Sequence, residues 1–190
     1  MPASSRVDVE ELYRRHAAEL RGYLYRRAGQ AGADLLGDVF VVALQRVDDL
    51  PEPDVRRAWL FGTARRLLLA ADRENRRRHQ AERERARFGE TVADTSVAGG
   101  SGQAGAVQAA LASLREPDRE LIRLTEWERL SITEAAVVLG LRPGTARVRL
   151  HRARRTLAAH PALADLSPVR SPSRAEVGSQ RSSLSRPPQG

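Results

Sequence analysis

The chain has 190 residues, enough for one ordinary domain or two small ones, with a net charge of +8 and a pI near 11.2. That balance favours an anionic partner. The absence of Cys excludes a disulfide framework and thiolate metal sites and fits a reducing cytosol.

All 32 basic Lys+Arg residues are Arg. Codon usage in a GC-rich genome accounts for the missing Lys, and function accounts for where the Arg residues cluster. The guanidinium fork binds phosphate and guanine bidentately. His16, His79, His151 and His160 are scattered without ligand spacing. No apolar run reaches the roughly 18 residues of a membrane helix. The opening MPASSRVDVEELY lacks the apolar core of a secretory signal. No membrane insertion and no cofactor are expected.

In chain order, residues 7–87 form a first helical block. A helix over 7–28 places Leu12, Leu20, Tyr23 and Leu24 on one side. A second, over about 33–47, is nearly apolar after Asp34 and Asp38, with Gly37 inside it at about 1 kcal/mol relative to Ala. A third follows Pro51-Glu52-Pro53, with Asp54 as its N-cap. Its expected core is Val55, Ala58, Leu60, Phe61, Ala64, Leu67, Leu68 and Ala71. Its expected exposed face carries Arg57, Arg65, Arg66, Arg73, Arg76 and Arg77, a basic surface. Residues 88–105, rich in Gly, Ser, Ala and Thr, read as a flexible linker. Residues 106–160 form a second helical block. Residues 161–190, rich in Pro, Ser and Arg, read as a disordered tail. The expected fold is all-α: two small helical domains on a tether, packed loosely or variably in the free chain.

The second block contains the densest signal. Ser131-Ile132-Thr133-Glu134 is a capping box that opens a short helix. Gly140 sits where a left-handed cap ends it. Leu141, Arg142 and Pro143 make a turn, and a second helix runs from about Gly144. Its buried stripe is Ala146, Leu150, Ala153 and Leu157; its other faces carry Arg147, Arg149, Arg152, Arg154 and Arg155. A short helix, a tight turn and a basic second helix form the unit that lays a helix in the DNA major groove.

Across about residues 7–160 the chain resembles the extracytoplasmic-function (ECF) group of sigma-70-type sigma factors. ELYRRHAAELRGYLYRRAG is similar to the start of that family's region two, and GADLLGDVFVVAL to its AEDLVQEVFLRAW segment. LPEPDVRRAWLFGTARRLLLAADRENRRR resembles the part that reads the melted promoter. LREPDRELIRLTEWERLSITEAAVVLGLRPGTARVRLHRARRTL resembles region four. The resemblance implies a dissociable, non-catalytic, cytoplasmic subunit of bacterial core RNA polymerase that binds promoter DNA. Many members have an anti-sigma factor as a further partner. It implies −35 duplex contacts by Thr145, Arg147, Val148, Arg149, His151, Arg152, Arg154 and Arg155. Arg147 and Arg152 are the main base readers, Val148 offers an apolar contact, and Arg149, Arg154 and Arg155 neutralise phosphates. It implies capture of the −10 single strand by Arg57, Trp59, Thr63, Arg65, Arg66, Arg73 and Arg76. It implies polymerase-clamp contacts by Asp34, Leu35, Asp38, Val39 and Phe40. Gly37, Leu44 and Arg66 depart from the residues common at their positions.

Two other classes stand beside this reading. A free-standing helix-turn-helix repressor or activator would use the first block for dimerisation or sensing, but the chain has two basic surfaces and no ligand-pocket signature. An enzyme on nucleic acid would need a metal cluster, a nucleophile with its base, or a Gly-rich phosphate loop, and none is present in the sequence.

Overall fold

A computed structural model describes residues 3–86 and 102–164. Among these residues the chain is all α-helix apart from turns and one short 3-10 segment, as the hydropathy pattern predicts. The helices are α1 (Ala3–Ala33), α2 (Leu36–Gln45), α3 (Pro53–Ala86), α4 (Gln103–Ala112), α5 (Glu116–Glu126), α6 (Ile132–Leu139), α7 (Pro143–Ala158) and α8 (Pro161–Ala164). The 3-10 turn spans Val47–Asp49.

In the first block, α1 leaves helical geometry at Ala28 and Gly29, the latter at φ 60. This is where the sequence pattern ends the helix, and glycine adopts the left-handed conformation there without a Cβ penalty. Helix α2 begins at Leu36, later than the expected 33, because a turn closed by Leu35 N–H to Gly32 O precedes it. Gly37 therefore lies in the first turn of α2 and not in its interior. Helix α3 begins at Pro53 itself, whose fixed φ suits the first helical position. Asp54 consequently sits inside the first turn, where its charge meets the positive end of the helix dipole. Leu12, Leu20, Tyr23, Leu24, Ala58, Leu60, Phe61 and Ala64 are all buried, as the periodicity predicts. Tyr23 and Phe61 meet edge to face at 5.2 Å. The C-terminal half of α3 is almost wholly exposed and is held by pairs one turn apart, among them Arg76–Asp72 and Arg78–Glu74.

The second block follows its local signals closely. Ser131 Oγ accepts the Glu134 N–H at 3.2 Å, and the Glu134 carboxylate accepts the Ser131 N–H at 2.7 Å. Gly140 ends α6 at φ 64, ψ 32. Pro143 opens α7, and Ala146, Leu150 and Ala153 are buried beneath it, with Leu157 at the margin. Helix α4 starts at Gln103, inside the segment expected as linker, and α8 occupies the first residues of the expected tail. The rest of both segments, 87–101 and 165–190, lies outside the described residues.

The two blocks share one continuous hydrophobic core. Its largest cross-block contact sets α6 against α3. This seam is closer than a loose or variable packing, and its polar side chains supply the reason.

Candidate nucleic-acid interface

The reader unit is α6, the Gly140–Arg142 turn and α7. Burial of Ala146, Leu150 and Ala153 fixes which face of α7 points outward. Arg147, Val148, His151, Arg152 and Arg155 all lie exposed on that helix, and Thr145 is exposed in its first turn. Val148 is 52% exposed, so its methyls are available to an apolar base edge. Arg147, Arg152 and Arg155 make no ion pair among the described residues and are free to meet an anion. Two of the expected phosphate contacts differ. Arg154 is bound by Glu126 at 2.6 Å, and Arg149 is half-buried with its Nε 3.9 Å from Asp118. Both need a rearrangement to reach DNA.

The segment of α3 expected to capture a single strand is placed very differently. Arg57, expected on the exposed face, is half-buried, and each of its guanidinium nitrogens is hydrogen-bonded. It donates to Glu19 at 2.8 Å, to Glu134 at 3.1 Å and to the Glu128 backbone carbonyl at 3.0 Å, and it lies over the Phe61 ring. The reason is the seam: three acceptors from α1 and from the α5–α6 corner converge on one planar fork, which charge-assisted hydrogen bonds favour. Thr63 is 2% exposed, donates to the Trp59 carbonyl and accepts from Arg66. Trp59 is half-buried against the core. Arg66, Arg73 and Arg76 are exposed, Arg76 in a pair with Asp72, and Arg65 is half-buried. The expected residues thus share a helix but divide into a covered group and an open group.

In the turn before α2, Asp34 is exposed and accepts from Gln30 and Leu35 is half-buried, and on α2 itself Asp38 is exposed. Val39 and Phe40 lie in the core and support α2 from within. The outward apolar side chains there are Val41, Leu44 and Tyr13, whose ring meets Phe40 edge-on.

The seam holds the residues that sequence reasoning missed. Glu120 and Glu128 are buried. Arg27 pairs with Glu120 at 3.1 Å and lies 3.6 Å from Glu128, and Arg26 pairs with Glu128 from the rim. Tyr23 donates its hydroxyl to Glu120 at 3.2 Å, and burial with the adjacent carboxylate drives its pKa far up. Burial opposes ionisation of Glu19, but hydrogen bonds from Arg57 and His16 outweigh it and hold the carboxyl below its ordinary value. Glu134 shows the same balance, with Ser131 and Arg57 as donors. A signal was present: Glu120 lies one turn before Leu124 on the apolar face of α5, and Arg27 follows Tyr23 at i+4 on the Leu20–Leu24 face. Charges on an apolar stripe mark a buried polar seam.

Comparison with known proteins supports the same architecture. Residues 104–157, from α4 to the end of the basic helix, match the family described as Sigma-70, region 4. The ECF RNA polymerase sigma factor SigL of Mycobacterium tuberculosis is 30% identical over 165 residues, covering 78% of this chain and 86% of SigL. The RNA polymerase sigma factor YlaC of Bacillus subtilis is 26% identical over 154 residues, covering 78% of this chain and 89% of YlaC. Among solved structures, the sigma factor RpoE in complex with the anti-sigma factor NepR from Bartonella quintana aligns at a TM-score of 0.60 and 24% identity, covering 85% of this chain and 99% of RpoE. CnrH in complex with the cytosolic domain of CnrY aligns at 0.54 and 28% identity, covering 86% and 91%.

Proposed function

This chain belongs to the ECF family of RNA polymerase sigma factors, and from that premise we propose how its helices divide the work of promoter recognition. The polymerase carries out the chemistry in the cytoplasm, and this chain supplies the address. Helix α7 enters the −35 major groove and reads guanine with Arg147 and Arg152, Val148 contacts a thymine methyl, and Arg155 takes a phosphate. His151 flanks them, and Thr145 binds phosphate at the helix start, where unpaired N–H groups also point. The N-terminal half of α3 captures the melted −10 strand, and α2 with the turn before it docks on the polymerase clamp through Asp34 and Asp38 with Leu35 beside them. Residues 7–87 and 106–160 act as the two modules. Family membership points to a regulatory anti-sigma factor as a further partner, and the similar CnrH is solved bound to the cytosolic domain of CnrY.

The observation that carries the reading is the division of the basic surface: α7 presents three unpaired arginines outward, whereas Arg57 is bound to Glu134 and the Glu128 carbonyl of the second block and Thr63 is buried within α3. A duplex reader is ready in the free chain, and a single-strand reader is not. Core polymerase, by holding the modules at a fixed spacing, provides the binding energy that separates α6 from α3. Run-off transcription on genomic fragments tests this. Initiation at discrete promoters with core polymerase plus the chain, and none with either alone, is the expected result. Tight operator binding by the chain alone, with no initiation, refutes it in favour of a repressor.

A further inference from the structure

A cavity of about 330 Å³ lies on the seam between α1, α3 and α5, beside the Tyr23–Glu120–Arg27 contacts. Its size is at the small end of what houses one organic ligand. Its lining combines the apolar side chains of Leu35, Leu68 and Leu69 with Arg27, Arg65 and Arg123. The carboxylates beside it are already committed. Asp72 pairs with Arg76, Glu116 pairs with Arg119 at 3.3 Å, and Glu120 holds Arg27 and the Tyr23 hydroxyl. Two of the three cations, Arg65 and Arg123, are paired with no carboxylate among the described residues. Arg123 Nε is buried without a hydrogen-bond partner, and so is Arg27 Nη1, whose nearest carboxylate is the 3.6 Å ionic contact to Glu128. The Arg27 side chain is only 10% exposed. Burial and the nearby Arg27 charge make the charged form of Arg123 harder to hold. A buried guanidinium with an unmade hydrogen bond beside apolar side chains is what an amphipathic anion satisfies.

We propose that this cavity binds a small organic oxyanion, with its carboxylate or phosphate head on Arg123 and Arg65 and its apolar body against Leu35, Leu68 and Leu69. The two blocks both contribute walls, so bound ligand favours the closed arrangement by mass action. The binding claim stands independently of the promoter-recognition reading.

The test uses the full chain and phenyl phosphate as the probe, followed by calorimetric titration and thermal melting. One-to-one saturable binding with a rising melting temperature is expected, with inorganic phosphate at least about tenfold weaker because it lacks the apolar body. Arg123→Gln is expected to lower affinity about tenfold or more, the loss of a charge-assisted contact. It changes the ligand-free melting temperature little, since Arg123 has no ion pair to lose and only a cation–π contact with Trp127 at 5.8 Å; a purely structural Arg123 would lower it markedly. Leu68→Trp fills the cavity, touches no charge and abolishes binding. Absence of saturable binding at millimolar phenyl phosphate overturns the site. So does unchanged affinity in both variants, which places the anion on other arginines. Equal binding of inorganic phosphate overturns the apolar half of the assignment.

Discussion

Replacing Arg27 by Met is the most direct challenge to the closed seam. Arg27 is 10% exposed, and its partners Glu120 and Glu128 are 4% and 1% exposed in their side chains. Breaking a buried ion pair from one side costs about 3–5 kcal/mol, because the remaining charge stays buried without its partner. Here Tyr23 still donates to Glu120, and Arg26 still holds Glu128, so the low end, about 3 kcal/mol, applies. The stranded carboxylates belong to the second block and return to water when the blocks part. The cost therefore falls on the closed arrangement alone and raises the open-to-closed ratio roughly a hundredfold. The chain has no Cys, so one cysteine placed on the outer face of α1 and one on α7 can be labelled for energy transfer without background. Arg27→Met is expected to shift the distance distribution outward, and to raise affinity for a −10-like single strand while duplex affinity stays level. A second substitution, Glu120→Leu, removes one stranded charge and is expected to restore much of the closed population. Unchanged label distances in Arg27→Met would refute the view that this pair holds the blocks together.

Arg147→Ala or Arg152→Ala is expected to cost about 1–3 kcal/mol at particular −35 base pairs, whereas Arg155→Ala weakens all duplexes alike and flattens the salt dependence; binding selections across salt concentrations separate the two. Glu19 and Glu134 have carboxyls held below their ordinary values in the folded chain, so the stability they contribute is present above the unfolded carboxylate pKa and is lost as pH falls through the folded values. Label distances should be flat from pH 6 to 8 and should lengthen only on acidification below the ordinary carboxylate range of about 4.3. Ser131→Ala removes one half of the capping box and is expected to cost about 1 kcal/mol, read as a lower denaturant midpoint with unchanged slope.

The reader unit was legible because its determinants are local. Ser131 and Glu134 are three residues apart, Gly140 acts on its own turn, and the stripe from Ala146 to Leu157 repeats at helical spacing. The same holds for the cores of α1 and α3. Arg57 was misplaced because its acceptors come from far along the chain, Glu134 being 77 residues away, and periodicity carries no information at that range. Pro53 was passed over as a helix start because a Pro-Glu-Pro run reads as a turn, although Pro at the first position is well tolerated. Val39 and Phe40 fall in the segment aligned with the family's clamp contact, but they also read as core, and a ten-residue apolar helix laid on α1 and α3 buries them on its inner face.

Glu134 closes the Ser131 cap with one carboxylate oxygen and grips Arg57 with the other. The same side chain therefore belongs both to the device that shapes the reader and to the clasp that keeps its companion hidden. Glu19 carries no such double duty. An engineer wishing to make this protein open more readily can soften Glu19 and leave the reader whole, whereas any alteration of Glu134 loosens the clasp and frays the reader together.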